Sequence, residues 1–493
     1  MTACLAPQPP STLPSRFRRL GKALGGAAAS ISLAVGVLAP AVPAFAQSQG
    51  PSFIRDTEVE EILHEDADPI FTAAGLDPRD IRILIVGDKD INAFATTGGN
   101  LGMSSGSVLA LNTGTIIKAD NPNELIGVIA HETGHIAGGH IARSGDGQKQ
   151  ALGTYILTMG LGVLAAAAGA PDAAFALIGN SGYFAALSMA GYTREQESRA
   201  DQAAATYLDR AGQSGKGLVD FFDKMRYQEV FSDLKKYRFF VDHPLSGERI
   251  DALRVRVEAL PHYKAVDSPE AIEKHRIMQA KLKAYMNLPQ QTFIDYKETD
   301  ASFAARYARA IAYYKALETD KAMKALDALI ADHPDNPYLY EVKGQALFES
   351  GRAKEAEPAY RKAVQIKPSA PLLHLSLGQT LLALDDDKRV DEAVAELRRC
   401  IDLEGDNAFA WRQLAEAYDR KGEPGQARLA AAEQYFALGQ MKDAKIFAAR
   451  AREQLPKNTP QWRRATDIFL VANPTKDDLK GLSRDGGASF SGR

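Results

Sequence analysis

From residue 303 onward the chain repeats with a period of 34 residues, and this period constrains its architecture more than any other feature. The unit 337–370 places Gly344, Leu347, Ala356, Tyr360, Ala363 and Pro368 at the offsets of a helix-turn-helix template. The unit 303–336 puts Ala310, Tyr313, Ala322, Leu326 and Pro334 at the same offsets. The unit 371–407 gives Leu377, Gly378, Leu381, Ala393, Leu397 and Cys400 once a three-residue insertion within 385–389 is allowed. A fourth begins with Trp411, Leu414, Ala415, Tyr418 and Ala427, and a degenerate fifth carries Gly439, Ala444, Ala448, Ala451 and Pro456. Small residues recur where two antiparallel helices approach closely, and large apolar ones fill the stack. Residues 303–458 are therefore expected to form an all-α solenoid, with Cys400 as core packing and not as a reactive thiol.

The array resembles tetratricopeptide repeats, which implies a concave surface for a protein partner. Ahead of it lies enough chain for at least one further core, since 493 residues exceed what a single ordinary domain uses. The first 46 residues are set apart. Arg16, Arg18, Arg19 and Lys22 precede an apolar run over 25–42, and Ala44-Phe45-Ala46 stands before Gln47 as a small-x-small cleavage site. This reads as a secretory signal peptide. Its four basic and no acidic residues mean that removal takes the formal charge from -3 to -7. Cys4 leaves with it, so Cys400 stays alone and no internal disulfide is available. No basic face or run of the needed size appears, which argues against a nucleic-acid partner.

The chemistry-bearing stretch is His131-Glu132-Thr133-Gly134-His135, set in an apolar run from Leu125 to Ala137. Residues four apart share one face of a helix, so both imidazoles can grip one metal ion. Glu132, beside the first ligand, is placed to take a proton from an attacking water. Asn121 as N-cap, Pro122 in the first turn and Glu124 closing a capping box predict that a helix begins just upstream.

Around that helix, 56–74 reads as an amphipathic helix and Ile81–Val86 as a strand. The turn material Thr96-Thr97-Gly98-Gly99-Asn100 predicts a hairpin pairing 92–95 with 101–103. An edge strand there would suit pairing with an extended peptide. Residues 151–190 are apolar and rich in Gly and Ala, broken at 169–172, and neither half is a clean spanning run. They predict a helical pair that serves as a lid or touches a membrane. A separate amphipathic helix is expected from Thr193, with further helices at 217–227 and 250–259 and a connector over 269–285.

A working site needs a third protein ligand. His140 is near, but in a continuing helix it lies about 140° around from His135. Glu197 is the better candidate, because Asp201 follows four residues later on the same face and can orient a ligand histidine. Glu195 falls on a different face.

His131-Glu-Thr-Gly-His135, Asn92-Ala93-Phe94 with its Gly98-Gly99 turn, Arg194-Glu195-Gln196-Glu197 with Ala200-Asp201, and His243-Pro244 followed by Arg249 together resemble the M48 family of zinc metalloproteases. The resemblance implies an α+β, zincin-like, mainly helical metalloprotease domain joined to the all-α repeat solenoid. It implies a metalloendopeptidase with one zinc ion, held by His131, His135 and Glu197, with Glu132 as general base and Asp201 behind the ligands. His243 and Arg249 are implied near the site, to stabilise an oxyanion, or with His243 closing the open coordination position. Arg199 departs from the family, which often has an acidic residue there. The expected organisation is a signal peptide at 1–46, the metalloprotease domain at 47–262, a connecting helix at 263–302, repeats at 303–458 and a partly disordered tail at 459–493. A periplasmic role on misfolded or stalled outer-membrane proteins follows from the resemblance. The competing expectation is a chaperone or adaptor that works through its repeats while the protease site is idle.

Overall fold

The computed structural model describes residues 2–3, 52–101, 106–167, 171–231, 243–384 and 386–472. Most of the expected signal segment, residues 102–103 of the expected hairpin and the tail from Thr475 lie outside the described residues.

A five-stranded sheet is built from β1 (Thr2–Ala3), β2 (Phe53–Arg55), β3 (Ile81–Val86), β4 (Ala93–Thr97) and β5 (Ser107–Asn112), in the order β1-β2-β3-β5-β4. β3 and β5 run parallel, with Ile81 opposite Ser107 and Val86 opposite Asn112, and β4 closes antiparallel on β5 as an edge. The expected hairpin therefore has a different second strand. Leu101 belongs to a short 3-10 turn over Gly98–Leu101, and the partner of β4 is Ser107–Asn112. Val108 to Leu111 is apolar at every position and suits a strand covered on both faces, which the tight-turn reading overlooked.

Among the described residues the helices of this first part are α1 (Thr57–Ala73), α2 (Thr113–Lys118), α3 (Pro122–Ala137), α4 (Ser144–Ala167), α5 (Pro171–Gly179), α6 (Ser181–Arg210), α7 (Lys216–Phe231), α8 (Gly247–Glu258) and α9 (Pro269–Met286). Ile81, Ile83, Ile85, Leu109 and Leu111 face α1 and α3 on one side of the sheet. Leu84, Val86, Val108 and Ala110 form a smaller cluster on the other. α6 is one unbroken helix, where two were expected. The Thr193 hydroxyl donates back to the Met189 carbonyl at 3.1 Å inside the helix and caps nothing.

The repeats fold as five helix pairs, from Phe303–Lys315 with Thr319–Asp332 to Met441–Gln454 with Pro460–Val471. The last helix buries Trp462, Ile468 and Phe469, so ordered structure passes the expected repeat end at 458. The small positions act as expected: a Cβ on Gly344 would stand 2.9 Å from the Tyr360 ring, and one on Gly378 2.8 Å from Leu397 Cγ. Cys400 is fully buried, and burial pushes its thiol up to about 12.

α9 joins the two parts by belonging to both cores. Met278 and Leu282 pack with the sheet and α3, while Ala280 and Ala284 pack with the first repeat. Lys281, fully buried between them, pairs with Asp56 at 2.8 Å and Glu58 at 3.1 Å. The start of α1 also touches the repeats directly. Tyr307 Oη donates to Glu58 at 3.1 Å, Tyr338 Oη and Lys367 Nζ each reach Glu61 at 2.6 Å, and Arg55 pairs with Glu404 at 2.8 Å.

Candidate metal centre

α3 starts where its sequence places it. Asn121 Oδ1 accepts from the Glu124 amide at 2.9 Å, and Glu124 Oε2 accepts in turn from the amide of Asp120, one residue before the N-cap. The helix is crossed closely on two sides, and a glycine stands at each crossing. A Cβ on Gly127 would lie 2.8 Å from Leu218 of α7, and one on Gly134 would lie 2.8 Å from the Ala200 carbonyl oxygen of α6. Only a residue without a side chain lets α6 come this near, and the nearness brings Glu197 to the histidines.

His131, His135, Glu197 and His243 converge, their ligand atoms all within 4.8 Å of one another. His131 Nε2 stands 3.2 Å from His135 Nε2, 3.3 Å from His243 Nδ1 and 3.4 Å from Glu197 Oε2. Glu197 lies 3.3 Å from His135 Nε2 and 3.2 Å from His243 Nδ1. Two tetrahedral ligands about 2.1 Å from a zinc ion stand roughly 3.4 Å apart, and these five separations are of that size. A second observation agrees. Glu132 is completely buried, its carboxylate makes no hydrogen bond among the described residues, and its one ionic contact there is His243 Nε2, 3.4 Å from Oε1. A buried carboxylate with so little hydrogen bonding is costly unless a ligand or water adds to it. The residues present thus fit a metal ion, with Glu132 beside the corner that His243 fills.

A set of charges behind the ligands fixes them. Asp201 Oδ1 lies 3.0 Å from His131 Nδ1, the nitrogen turned away from the cluster. Arg249 grips Asp201 with two donors at 2.8 and 2.9 Å, gives a third to the Pro244 carbonyl at 2.7 Å, and stands 3.1 Å from Glu197. Burial works against charge on Glu197, but hydrogen bonding from His131, His135 and His243 outweighs it and holds the carboxyl far below the ordinary range. Burial likewise opposes a proton on His131, and the carboxylates of Asp201 and Glu197 overcome it, raising the imidazole to about 10. A proton and a metal ion compete for that lone pair.

The structure brings together His131, Glu132, His135, Glu197, Asp201, His243 and Arg249. Glu195 points away, exposed and paired with Arg199 at 2.5 Å, so the departure at position 199 faces solvent. His140 is outside the ligand group, but it has a place the sequence did not reveal: its Nδ1 lies 3.0 Å from the Nδ1 of His135. Burial, then the nearby His135 and Arg143, lower His140 to about 4, so it is neutral and can accept the proton of that outer nitrogen. This leaves His135 Nε2 bare toward the cluster. Phe222 packs edge-on to His131 at 5.5 Å between centroids. Neither contact has a signature in sequence spacing.

Comparison with known proteins matches residues 54–257 to Peptidase family M48 and residues 307–371 to Tetratricopeptide repeat. The first span contains all seven site residues. The chain is 25% identical over 384 residues to the Beta-barrel assembly-enhancing protease of Escherichia coli (strain K12), covering 77% of this chain and 76% of that protein. It is 25% identical over 345 residues to the Putative beta-barrel assembly-enhancing protease of Vibrio cholerae, covering 69% of this chain and 68% of that one. Metalloprotease LoiP of Escherichia coli is 32% identical over 173 residues, 35% of this chain and 60% of that protein. Among solved structures, a MamA structure aligns at 23% identity with a TM-score of 0.29, over 34% of this chain and 94% of that one.

Proposed function

Because this chain carries an M48 peptidase domain followed by tetratricopeptide repeats and is homologous to β-barrel assembly-enhancing proteases, we propose that it is a zinc-dependent endopeptidase of the bacterial periplasm. Its substrates are misfolded or stalled outer-membrane proteins, in keeping with its relatives being β-barrel assembly-enhancing proteases, and its repeats hold a protein partner. The observation that carries the catalytic part is the convergence of His131, His135, Glu197 and His243 beside the buried Glu132.

Zinc bound by His131, His135 and Glu197 would supply Lewis acidity at the corner that His243 fills in this structure. Glu132 accepts the proton of the attacking water and returns it to the leaving nitrogen. Asp201 holds His131 through its outer nitrogen, and His140 holds His135 the same way. Arg249, with its donors engaged on Asp201, Glu197 and Pro244, is a positioning residue. β4, the outermost strand beside α3, offers its edge to an extended substrate.

Metal analysis of the purified protein, with cleavage of an unfolded protein substrate, tests the reading. Glu132→Gln retains one zinc per chain while cleavage falls by about 10²–10⁴. Undiminished cleavage overturns the assignment. One observation favours the alternative of an adaptor with an idle site: His243 Nδ1 stands among the ligand atoms, 3.3 Å from His131 Nε2 and 3.2 Å from Glu197, and can fill the fourth position. On our reading this is a reversible closed state, and His243→Ala raises basal cleavage with zinc retained; a permanently idle site stays silent in that variant.

A further inference from the structure

Between Gln150 and Thr193 the chain holds a single charged residue, Asp172. This segment forms most of α4, all of α5 and the first turns of α6, with α4 packed along α6. It is apolar without being buried. Ile156 is 61% exposed, Leu164 65% and Tyr183 62%, and Leu152, Leu157 and Val163 are similarly open. Nothing lies within 4 Å of a Cβ built on Gly153, Gly160, Gly182 or Gly191, so their small faces are uncovered too. A helix apolar on all sides belongs in a core or in lipid. Monomers rarely expose more than a few hundred Å² of contiguous apolar surface. Eleven large side chains here, each more than a third exposed, make on the order of 1,000 Å² at roughly 180 Å² per side chain.

The surface at the base of this hairpin differs in charge from the rest of the chain. Arg143, Lys149, Arg194 and Arg199 flank it against two carboxylates, Asp146 and Glu195, in a chain whose formal charge is -3. Lys149 pairs with Asp146 and Arg199 with Glu195. Arg143 and Arg194 meet only backbone carbonyls, of Gly138 and Ala190, among the described residues. Tyr192 Oη donates to the Arg143 carbonyl at 3.0 Å and ties the two strands of the base together. An apolar body with surplus arginine at its foot is complementary to a bilayer that carries anionic headgroups.

We propose that the α4–α6 hairpin is a monotopic anchor, its apolar surface set into the interface of an anionic phospholipid bilayer and Arg143 and Arg194 at headgroup level. No helix among the described residues is long and apolar enough to cross a membrane. The apolar part of α4, from Leu152 to Ala167, is about 24 Å long, shorter than a hydrocarbon core of about 30 Å. A charge at position 172 favours a hairpin lying along the interface over one thrust through it. α6 continues from the anchor into Glu197 and Asp201, and Thr193 to Glu197 is only about 6 Å along the axis. Resting on the peptidase reading, this places the metal centre at the bilayer surface, where its substrates would be chains entering or stalled at lipid.

The test is flotation of the chain from Gln47 onward, which keeps every described element but β1 and lacks the apolar leader. It is run with vesicles of phosphatidylethanolamine and phosphatidylglycerol, and with vesicles of phosphatidylcholine. The anchor predicts flotation with the anionic vesicles, at least a tenfold loss of bound protein in Ile156→Glu/Leu164→Glu, and loss of the anionic preference in Arg143→Glu/Arg194→Glu. These side chains are exposed, and unchanged circular dichroism and thermal unfolding show that the variants fold. Wild-type protein that stays with the pellet overturns the proposal, as does equal flotation of the Ile156/Leu164 variant. So does sedimentation as a dimer that this variant dissolves without any lipid binding, since a second copy then covers the face. Flotation reads lipid binding alone, so its failure is distinct from failure of the peptidase assignment.

Discussion

Replacing Gly134 with alanine sets two effects of opposite sign against each other. Alanine in a helix interior is favoured over glycine by about 0.8–1 kcal/mol. Its Cβ, however, would stand 2.8 Å from the Ala200 carbonyl oxygen and 2.9 Å from Ala200 Cα. An optimal contact lies near 3.5 Å, so α6 has to retreat by roughly 0.7 Å. Overpacking of this kind costs about 1–3 kcal/mol, which leaves a net destabilisation of about 0–2 kcal/mol. The metal site has no compensating gain. Glu197 lies one helical turn from Ala200 and moves with it, whereas ligand distances tolerate only about 0.2 Å. Zinc affinity is therefore expected to fall tenfold or more while stability changes little, and misplacement approaching 1 Å costs about 10²-fold in rate. Competition for zinc against a chromogenic chelator, alongside urea unfolding of the same sample, separates the two quantities. Unchanged zinc affinity together with a higher urea midpoint would refute the tight crossing as the device that seats Glu197.

Arg249→Met leaves Asp201 and Glu197 buried without their shared cation and is expected to cost about 3–5 kcal/mol in urea unfolding. Arg249→Lys recovers only part of this, because an ammonium cannot reproduce the two-donor grip on Asp201. Full recovery by lysine would reduce the role of Arg249 to its charge. At the joint between the domains, burial, opposed by Lys281 and aided by Asp56, raises the Glu341 carboxyl to about 7. Because this folded value lies above the unfolded one, its stabilising share is complete below about pH 4.5 and is lost as pH rises through about 7. Glu341→Gln should thus gain on the wild type in urea midpoint between about pH 5 and pH 8. A difference that stays constant across that range would contradict the assignment.

Much of the site was legible because its parts are local. The four-residue spacings His131 to His135 and Glu197 to Asp201 each place two side chains on one helical face whatever the rest of the chain does. The cap at Asn121 and the strand Ile81–Val86 are legible for the same reason. Where the sequence misled, a local signal lost to packing. Thr96 to Asn100 reads as a tight turn, but Ser107–Asn112 wins the pairing because it fits alongside β3 with both faces covered. Thr193 reads as a helix start, yet its hydroxyl turns back into a helix that was already running.

The sequence alone therefore determined the repeat array, the two-histidine helix and the carboxylates that answer it, since periodicity and spacing are properties of one element at a time. Only the tertiary structure decided what lies between elements: the approach of Ala200 to Gly134, His243 at the fourth corner, His140 behind His135, and the start of α1 gripped by Tyr307, Tyr338 and Lys367 of the repeats. Each of these depends on the distance at which two separate elements pack. That distance is fixed by the volumes and polar partners of residues far apart in the chain, which no local pattern carries.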